Sequence, residues 1–310
     1  MTELYKQPNS GQPLKLPVPP EFSFSQNLNY LTSAPNECLY RVHENRIYKA
    51  LPIGQHIYVI EIFEDPDVPH SLMLSFIGDL VPKDTTDFEA IIRYVRDWFD
   101  LDTDLVPFYE MAEQDELLQT TIHSFYGLRN MGIPDLFEAV CWGILGQQIN
   151  LAFAFTLKRR LVETYGRSVT IDNIKYYVFP EPDAIAALSV TDMEDLRMTV
   201  KKREYLIAIA HLFVEGKLSK EALLQIGDHK KIEKLLVGIR GIGPWTANYV
   251  LMRCLRIPSA FPIDDVGLHN AVKHALGSEL KPSRDELLKL TAGWVNWESY
   301  STFYMWRLLY

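Results

Sequence analysis

Cysteine is scarce in this 310-residue sequence: Cys38, Cys141 and Cys254 lie far apart and form no Cys-x-x-Cys pair. That spacing argues against a disulfide scaffold and against a zinc or iron–sulfur site, and it fits a reducing cytoplasm. No apolar run approaches the roughly 20 residues of a membrane span. Residues 1–20, with their Pro, Gln, Ser and Gly, lack the apolar core of a signal peptide and read as a flexible tail. Low-complexity tracts are missing, and nothing repeats beyond the recurrence of short helices. An overall excess of positive charge, usual in a nucleic-acid binder, is absent too, since the formal net charge is -9.

The charge is unevenly spread. Residues 201–310 carry 16 Lys and Arg against 11 Asp and Glu, whereas residues 1–200 carry 15 against 29. A local basic footprint is what phosphate binding requires, although a solvated, mildly basic surface would look the same. With 47% hydrophobic and 12% aromatic residues, the chain has material for two or three domains and a substantial core.

Residues 38–77 read as strands: 46–51 and 56–63 alternate or run apolar, with Pro52 and Gly54 as punctuation. Residues 88–99 follow as an amphipathic helix, which makes the first hundred or so residues an α+β unit. From about Leu105 onward the chain is expected to be helical throughout. Asp135 caps a long helix, and further helices are expected over 191–201, 202–214, 219–226, 230–237, 244–255, 264–276, 283–292 and 298–309.

The most informative stretch is Leu235-Leu236-Val237-Gly238-Ile239-Arg240-Gly241-Ile242-Gly243-Pro244-Trp245-Thr246-Ala247-Asn248-Tyr249. Gly241 and Gly243 flank Ile242 at a turn between two helices, where successive backbone N–H groups can face a phosphate. An ordinary glycine-closed link between helices would carry the same Gly-x-Gly. A little further on come Asp264 and Asp265, placed either to cap the next helix or to act on a nucleotide held at the turn.

Taken with other ordered motifs, this stretch resembles the helix-hairpin-helix DNA glycosylase superfamily, and within it the DNA-3-methyladenine glycosylase II family of alkylation-repair enzymes. The further motifs are Phe137-Glu138-Ala139, Ile144-Leu145-Gly146-Gln147-Gln148, Phe179-Pro180-x-Pro182 and Trp297-x-Ser299-Tyr300-x-x-Phe303-Tyr304-x-Trp306. The match spans about residues 120–310. It implies a mostly α fold with an N-terminal α+β domain, the helix-hairpin-helix DNA glycosylase fold. The expected division is a tail over 1–20, an α+β domain over 21–105, a helical subdomain over 106–230 and a catalytic helix-hairpin-helix subdomain over 231–310. Residues 106–125 could instead pack with that last unit.

The resemblance also assigns roles. It gives the chemistry to Asp265, as an anion stabilising an oxocarbenium-like sugar or activating water, and leaves Asp264 for structure. Strand-cutting members of the superfamily place a Schiff-base lysine where this chain has Trp245, so a monofunctional enzyme is implied. Trp245, Tyr249, Trp306 and Tyr30 would line the base pocket, since electron-rich rings attract a purine made cationic by alkylation. Each of these aromatics also reads as core packing. Val266 stands where the family often has an aromatic, and Asn296, Glu298 and Ser301 depart from the commoner Pro, Arg and Ala. Gln148 takes the position that plugs the duplex after base flipping, or is a solvated surface residue. Gly241, Ile242 and Gly243 would touch DNA through their backbone, and Thr246 through its hydroxyl or amide unless it merely caps the helix. Carbonyls of Val237, Ile239 and Ile242 could hold a monovalent cation when DNA is bound; no other cofactor is implied. Lys201-Lys202-Arg203 could help anchor the DNA backbone but reads more readily as a solvated helix start.

The implied protein is a cytoplasmic, monomeric, bacterial-type glycosylase that meets the nucleoid and starts base excision repair on duplex DNA carrying 3-methyladenine and related alkylated purines. A glycosylase for another lesion is the nearest alternative. A catalytically silent, structure-specific DNA-binding protein is the alternative from another class.

Overall fold

A computed structural model describes residues 12–34 and 36–309. Alternating side chains build its sheet. β1 (Leu14–Pro17), β2 (Tyr40–His43), β3 (Arg46–Ile53), β4 (His56–Glu64) and β5 (Ser71–Ile77) pair antiparallel in the order β1-β5-β4-β3-β2. The register sets Ile47 opposite Ile62 and Leu51 opposite Tyr58, so one face carries Ile47, Leu51, Ile60 and Ile62 into the main core. Most of the expected tail falls on residues 1–11, which lie outside the described residues. Leu14 and Leu16 correct the remainder: both are buried, and they fix an edge strand against Leu74 and Leu72.

Two helices belong with this sheet, α1 (Phe24–Thr32) and α2 (Thr85–Trp98). Asp84 caps α2 by accepting from the Asp87 N–H, and its buried stripe is Phe88, Ile91, Ile92, Val95 and Trp98. Each such side chain contributes about 1.5–3 kcal/mol of burial.

The helical part comprises α3 (Val106–Ala112), α4 (Gln119–Ser124), α5 (Leu136–Leu145), α6 (Leu151–Tyr165), α7 (Pro182–Ala186), α8 (Val200–Val214), α9 (Lys220–Gln225), α10 (His229–Val237), α11 (Pro244–Arg253), α12 (Val266–Ala275), α13 (Arg284–Leu290) and α14 (Glu298–Trp306). It is not helical throughout. β6 (Ser168–Ile171) and β7 (Ile174–Tyr177) form a hairpin whose turn residues Asp172 and Asn173 both have positive φ. Tyr176 of that hairpin and Val178 just beyond it pack with Ala50 and Val59, covering the second face of the sheet. The single helix expected over 191–201 does not form either. A short 3₁₀ turn over Glu194–Leu196 stops at Arg197, which is left-handed at φ 56, and α8 starts only at Val200.

One contiguous core runs through all these units, so the expected borders do not separate independent cores. Residues 106–125 pack with the C-terminal helix. Phe108 lies against the rings of Trp297, Tyr300 and Tyr304, the Tyr109 and Tyr304 hydroxyls are 3.0 Å apart, and Trp294 donates to Asp115 at 2.9 Å. Among the described residues no helix is long and apolar enough to cross a membrane.

α5 is buried on every side, and its N-cap Asp135 accepts from the Glu138 N–H at 2.6 Å. The dense protein around the helix start desolvates the Asp135 carboxyl more than that bond favours its charge and pushes it up to about 6, from an ordinary value of 3.8, although the residue itself reaches solvent. The folded state therefore holds this proton more tightly than the unfolded chain does, and stability falls as pH rises from about 4 to 6. Asp135→Asn keeps an acceptor at the cap and removes the charge. Melting curves should show that part of the slope gone, with Tm raised at pH 7 and little changed at pH 4. An unchanged slope would assign the pH dependence elsewhere.

Candidate active site

The glycine turn joins α10 to α11. Gly241 adopts φ 99, and a Cβ there would come within 2.5 Å of the Tyr205 ring of α8, so only glycine fits. The Ile242 N–H is taken by the Ile239 carbonyl at 3.0 Å and its side chain is buried; it closes the turn and offers no free amide. Gly243 is the N-cap of α11 and Pro244 its first residue, so the amides of Trp245 and Thr246 are first-turn donors without intrahelical partners. Thr246 is only 1% exposed, and its hydroxyl accepts from Gln147 at 3.2 Å. The expected phosphate contact through that hydroxyl is therefore corrected, and its backbone amide remains.

Asp265 caps α12, its Oδ1 accepting from the Leu268 N–H at 2.7 Å. Two indoles converge on the same carboxylate. Trp306 Nε1 donates to Oδ1 at 2.8 Å, and Trp245 Nε1 donates to Oδ2 at 2.7 Å. Oδ1 thus accepts two bonds and Oδ2 one, so the further acceptor capacity of the carboxylate lies on Oδ2. A Cβ on Gly267 would sit 2.9 Å from Asp265 Oδ1 and 3.3 Å from the Trp306 ring, so glycine is what lets the last helix reach the carboxylate. Asp264 also borders the cleft but bonds neither indole and pairs with Arg284 at 3.2 Å.

Tyr249 stacks on both indoles, its ring centre 5.4 Å from Trp245 and 6.3 Å from Trp306. Arg253, one turn further along α11, donates to the Tyr249 hydroxyl at 3.2 Å and to the Tyr30 hydroxyl at 2.8 Å. It fixes both phenols, and the Tyr30 ring lies 5.0 Å from Phe303. Trp245, Tyr249, Trp306, Tyr30, Asp265 and the glycine turn line one continuous cleft of about 1520 Å³. Val266 lines the same cleft at its rim, 64% exposed and apart from the stacked rings.

Gln148 is exposed at the tip of the turn between α5 and α6, with φ 57, and also borders the cleft. Its neighbour Gln147 was not singled out by sequence reasoning. Its Nε2 donates to the Gly241 carbonyl at 2.8 Å as well as to Thr246. The Lys201-Lys202-Arg203 reading is corrected as well: Lys202 and Arg203 are buried, and Lys202 Nζ donates to the Leu145 carbonyl at 2.6 Å. Burial lowers the Lys202 ammonium below its ordinary range.

Deeper in the cleft lies a buried ion cluster that sequence reasoning also missed. Lys158 Nζ lies 2.9 Å from both Glu37 and Glu138, and 5.5 Å from the centre of the Trp142 ring. Burial alone would lower the Lys158 ammonium, but the two carboxylates outweigh it and raise it above the usual lysine range. A signal for both lysines existed. Lys202 shares a helical stripe with the buried Leu206, Ile209 and Ala210, and Lys158 one with Ala154, Leu157, Leu161 and Val162.

Comparison with known proteins fits this arrangement. Residues 141–296 match the HhH-GPD superfamily base excision DNA repair proteins, and residues 22–140 match the N-terminal domain of 8-oxoguanine DNA glycosylase. A DNA-3-methyladenine glycosylase of Bacillus subtilis is 50% identical over 94% of this chain and 96% of its own. Among solved structures, a 3-methyladenine DNA-glycosylase from Archaeoglobus fulgidus superposes with TM-score 0.79 at 21% identity, covering 94% of this chain and 97% of that one. A Clostridium acetobutylicum 8-oxoguanine glycosylase/lyase bound to double-stranded DNA gives TM-score 0.74 at 16% identity, covering 98% of both chains.

Proposed function

The chain belongs to the HhH-GPD superfamily of base excision DNA repair proteins, and on that premise we propose that Asp265 is the carboxylate with which it hydrolyses the N-glycosidic bond of an alkylated purine. It is a DNA glycosylase of the 3-methyladenine type that initiates base excision repair. The observation that carries the assignment of Asp265 is the pair of indole N–H groups, one on each carboxylate oxygen, inside an aromatic cleft beside the glycine turn.

Alkylation at a ring nitrogen leaves the purine cationic, so the bond to C1′ is already weakened. As it breaks, both electrons leave with the base and the sugar becomes oxocarbenium-like. A carboxylate held in place nearby stabilises that charge, water supplies the oxygen that bonds to C1′, and its proton is released. The faces of Trp245, Tyr249 and Trp306 attract the cationic ring, with Tyr30 closing the far side. Trp245 offers no amine for a Schiff base, so the strand is left unbroken at the abasic site.

The duplex is gripped through the first-turn backbone amides of Trp245 and Thr246 beside the glycines of the turn, and Gln148 fills the gap left by the extruded nucleotide. The Val237, Ile239 and Ile242 carbonyls suit a monovalent cation on bound DNA. Val237 ends α10, where carbonyls lack intrahelical partners, and the Ile239 carbonyl keeps a second lone pair beside its bond to Ile242. Hydrolysis consumes only water, so the chemical step calls for no other cofactor. The enzyme acts as a monomer on cytoplasmic DNA.

Incubation with methylated duplex DNA tests the reading. Free methylated purine should be released, and the strand should stay intact on a denaturing gel until alkali cleaves it. Bound DNA with no free base would favour a silent binder, and nicks without alkali would contradict the monofunctional assignment.

A further inference from the structure

We propose that Gln147 and Lys202 are positioning residues for base extrusion, because they lock the loop carrying Gln148 onto the glycine turn that grips the strand. This rests on the glycosylase reading and adds to it a mechanical link between the two DNA contacts.

The loop is held at each point where it could bend. At its start, Lys202 Nζ binds the carbonyl of Leu145, the last residue of α5, where a cation also favours the helix dipole. At its centre, Gln147 Nε2 bridges the Gly241 carbonyl and the Thr246 hydroxyl, both across in the helix-hairpin-helix. At its end, Asn150 caps α6 by accepting from the Phe153 N–H at 2.9 Å. The two units are also pressed together, since a Cβ on Gly143 of α5 would come within 2.5 Å of the Thr246 methyl. One helix serves both sides: α8 supplies Lys202 to the loop and, three residues on, Tyr205 beneath Gly241.

Gln148 is the exposed residue at the tip, and its φ of 57 is one that a free loop would seldom hold. Extruding a paired nucleotide takes a few kcal/mol of unstacking and unpairing, which insertion into the stack must offset. A loop that had to be ordered at that moment would lose about 1–2 kcal/mol per residue of backbone freedom. The clamp keeps the tip ordered before DNA arrives and moves it with the grip on the phosphates.

The test compares wild type with Gln147→Ala, Gln147→Glu and Lys202→Met in single-turnover base release. Gln147→Glu keeps the side-chain size and removes the N–H donors. The substrate is an oligonucleotide with one alkylated purine, either fully paired or opposite an abasic analogue, where extrusion is already easy. The variants should lose roughly 10- to 100-fold on the paired lesion and stay within about 3-fold of wild type on the unpaired one. A fluorescent 2-aminopurine beside the lesion should brighten less on binding to the variants. Equal losses on both substrates, or no loss on the paired one, would overturn the proposal. If Lys202→Met fails to fold, Gln147→Glu decides, because Gln147 is only half-buried. Wild-type protein that releases no base from either substrate would instead overturn the glycosylase reading itself.

Discussion

Asp265→Asn is expected to slow base release by at least roughly 10³-fold, about 4 kcal/mol of transition-state stabilisation, while DNA binding persists. The substitution is nearly isosteric and keeps an oxygen for the Leu268 N–H, so α12 retains its cap. Two things are lost. The negative charge that faces the developing oxocarbenium disappears. In addition, with the oxygen kept at the cap, the new amide N–H₂ takes the Oδ2 position and meets the Trp245 indole N–H, donor against donor, where a carboxylate oxygen had accepted. Trp245→Phe separates the two effects, because it leaves the charge and removes one donor, and it should cost far less. Single-turnover release of methylated purines, with binding followed by fluorescence anisotropy, distinguishes these outcomes. Near-normal turnover in Asp265→Asn would mean that another group carries the chemistry.

The second large effect concerns stability. Lys158→Met is expected to destabilise the fold by roughly 3–5 kcal/mol, with a fall in Tm on the order of 10 °C. Glu37 and Glu138 would remain buried at the inner end of the cleft without their shared cation. Glu37, left with only the Cys38 and Leu39 N–H donors against its burial, would hold a proton to higher pH than it does beside Lys158, so the deficit should shrink at low pH and grow as pH rises. Adding Glu37→Gln and Glu138→Gln should recover most of the loss at pH 7, since a buried charge is costly mainly when its partner is gone. If the triple variant melts no higher than Lys158→Met, the loss comes from the packing of the lysine stem against Trp142, not from charge.

Much of this architecture is legible in the residues because helical stripes and caps are local. Asp135 and Asp265 both stand at the caps their positions imply, and the strands over 46–64 follow from alternation alone. The β6–β7 hairpin is as local, with Asp172-Asn173 in a left-handed turn between alternating residues, yet the surrounding run of helices hides it. Residues 191–201 fail for the opposite reason, because a left-handed Arg197 breaks a pattern that reads as helix. The contacts that shape the site are long-range. A lysine in an apolar stripe announces that it needs a partner, but nothing near Lys158 names Glu37, which lies 121 residues earlier. Likewise, two tryptophans and an aspartate suggest a pocket, while their meeting at one carboxylate depends on a whole chain of helix packing.

Tyr30 and Phe303 touch across nearly the whole chain, and Trp306 reaches Asp265 from the final helix. On the ribosome this sets an order of events. The glycine turn, the carboxylate and the Gln148 loop are all synthesised before the residue that completes their pocket. A nascent chain that has not yet passed Trp306 lacks one of the two indoles that hold the Asp265 carboxylate and one of the two rings stacked on Tyr249, so the cleft is assembled only after α14 has docked.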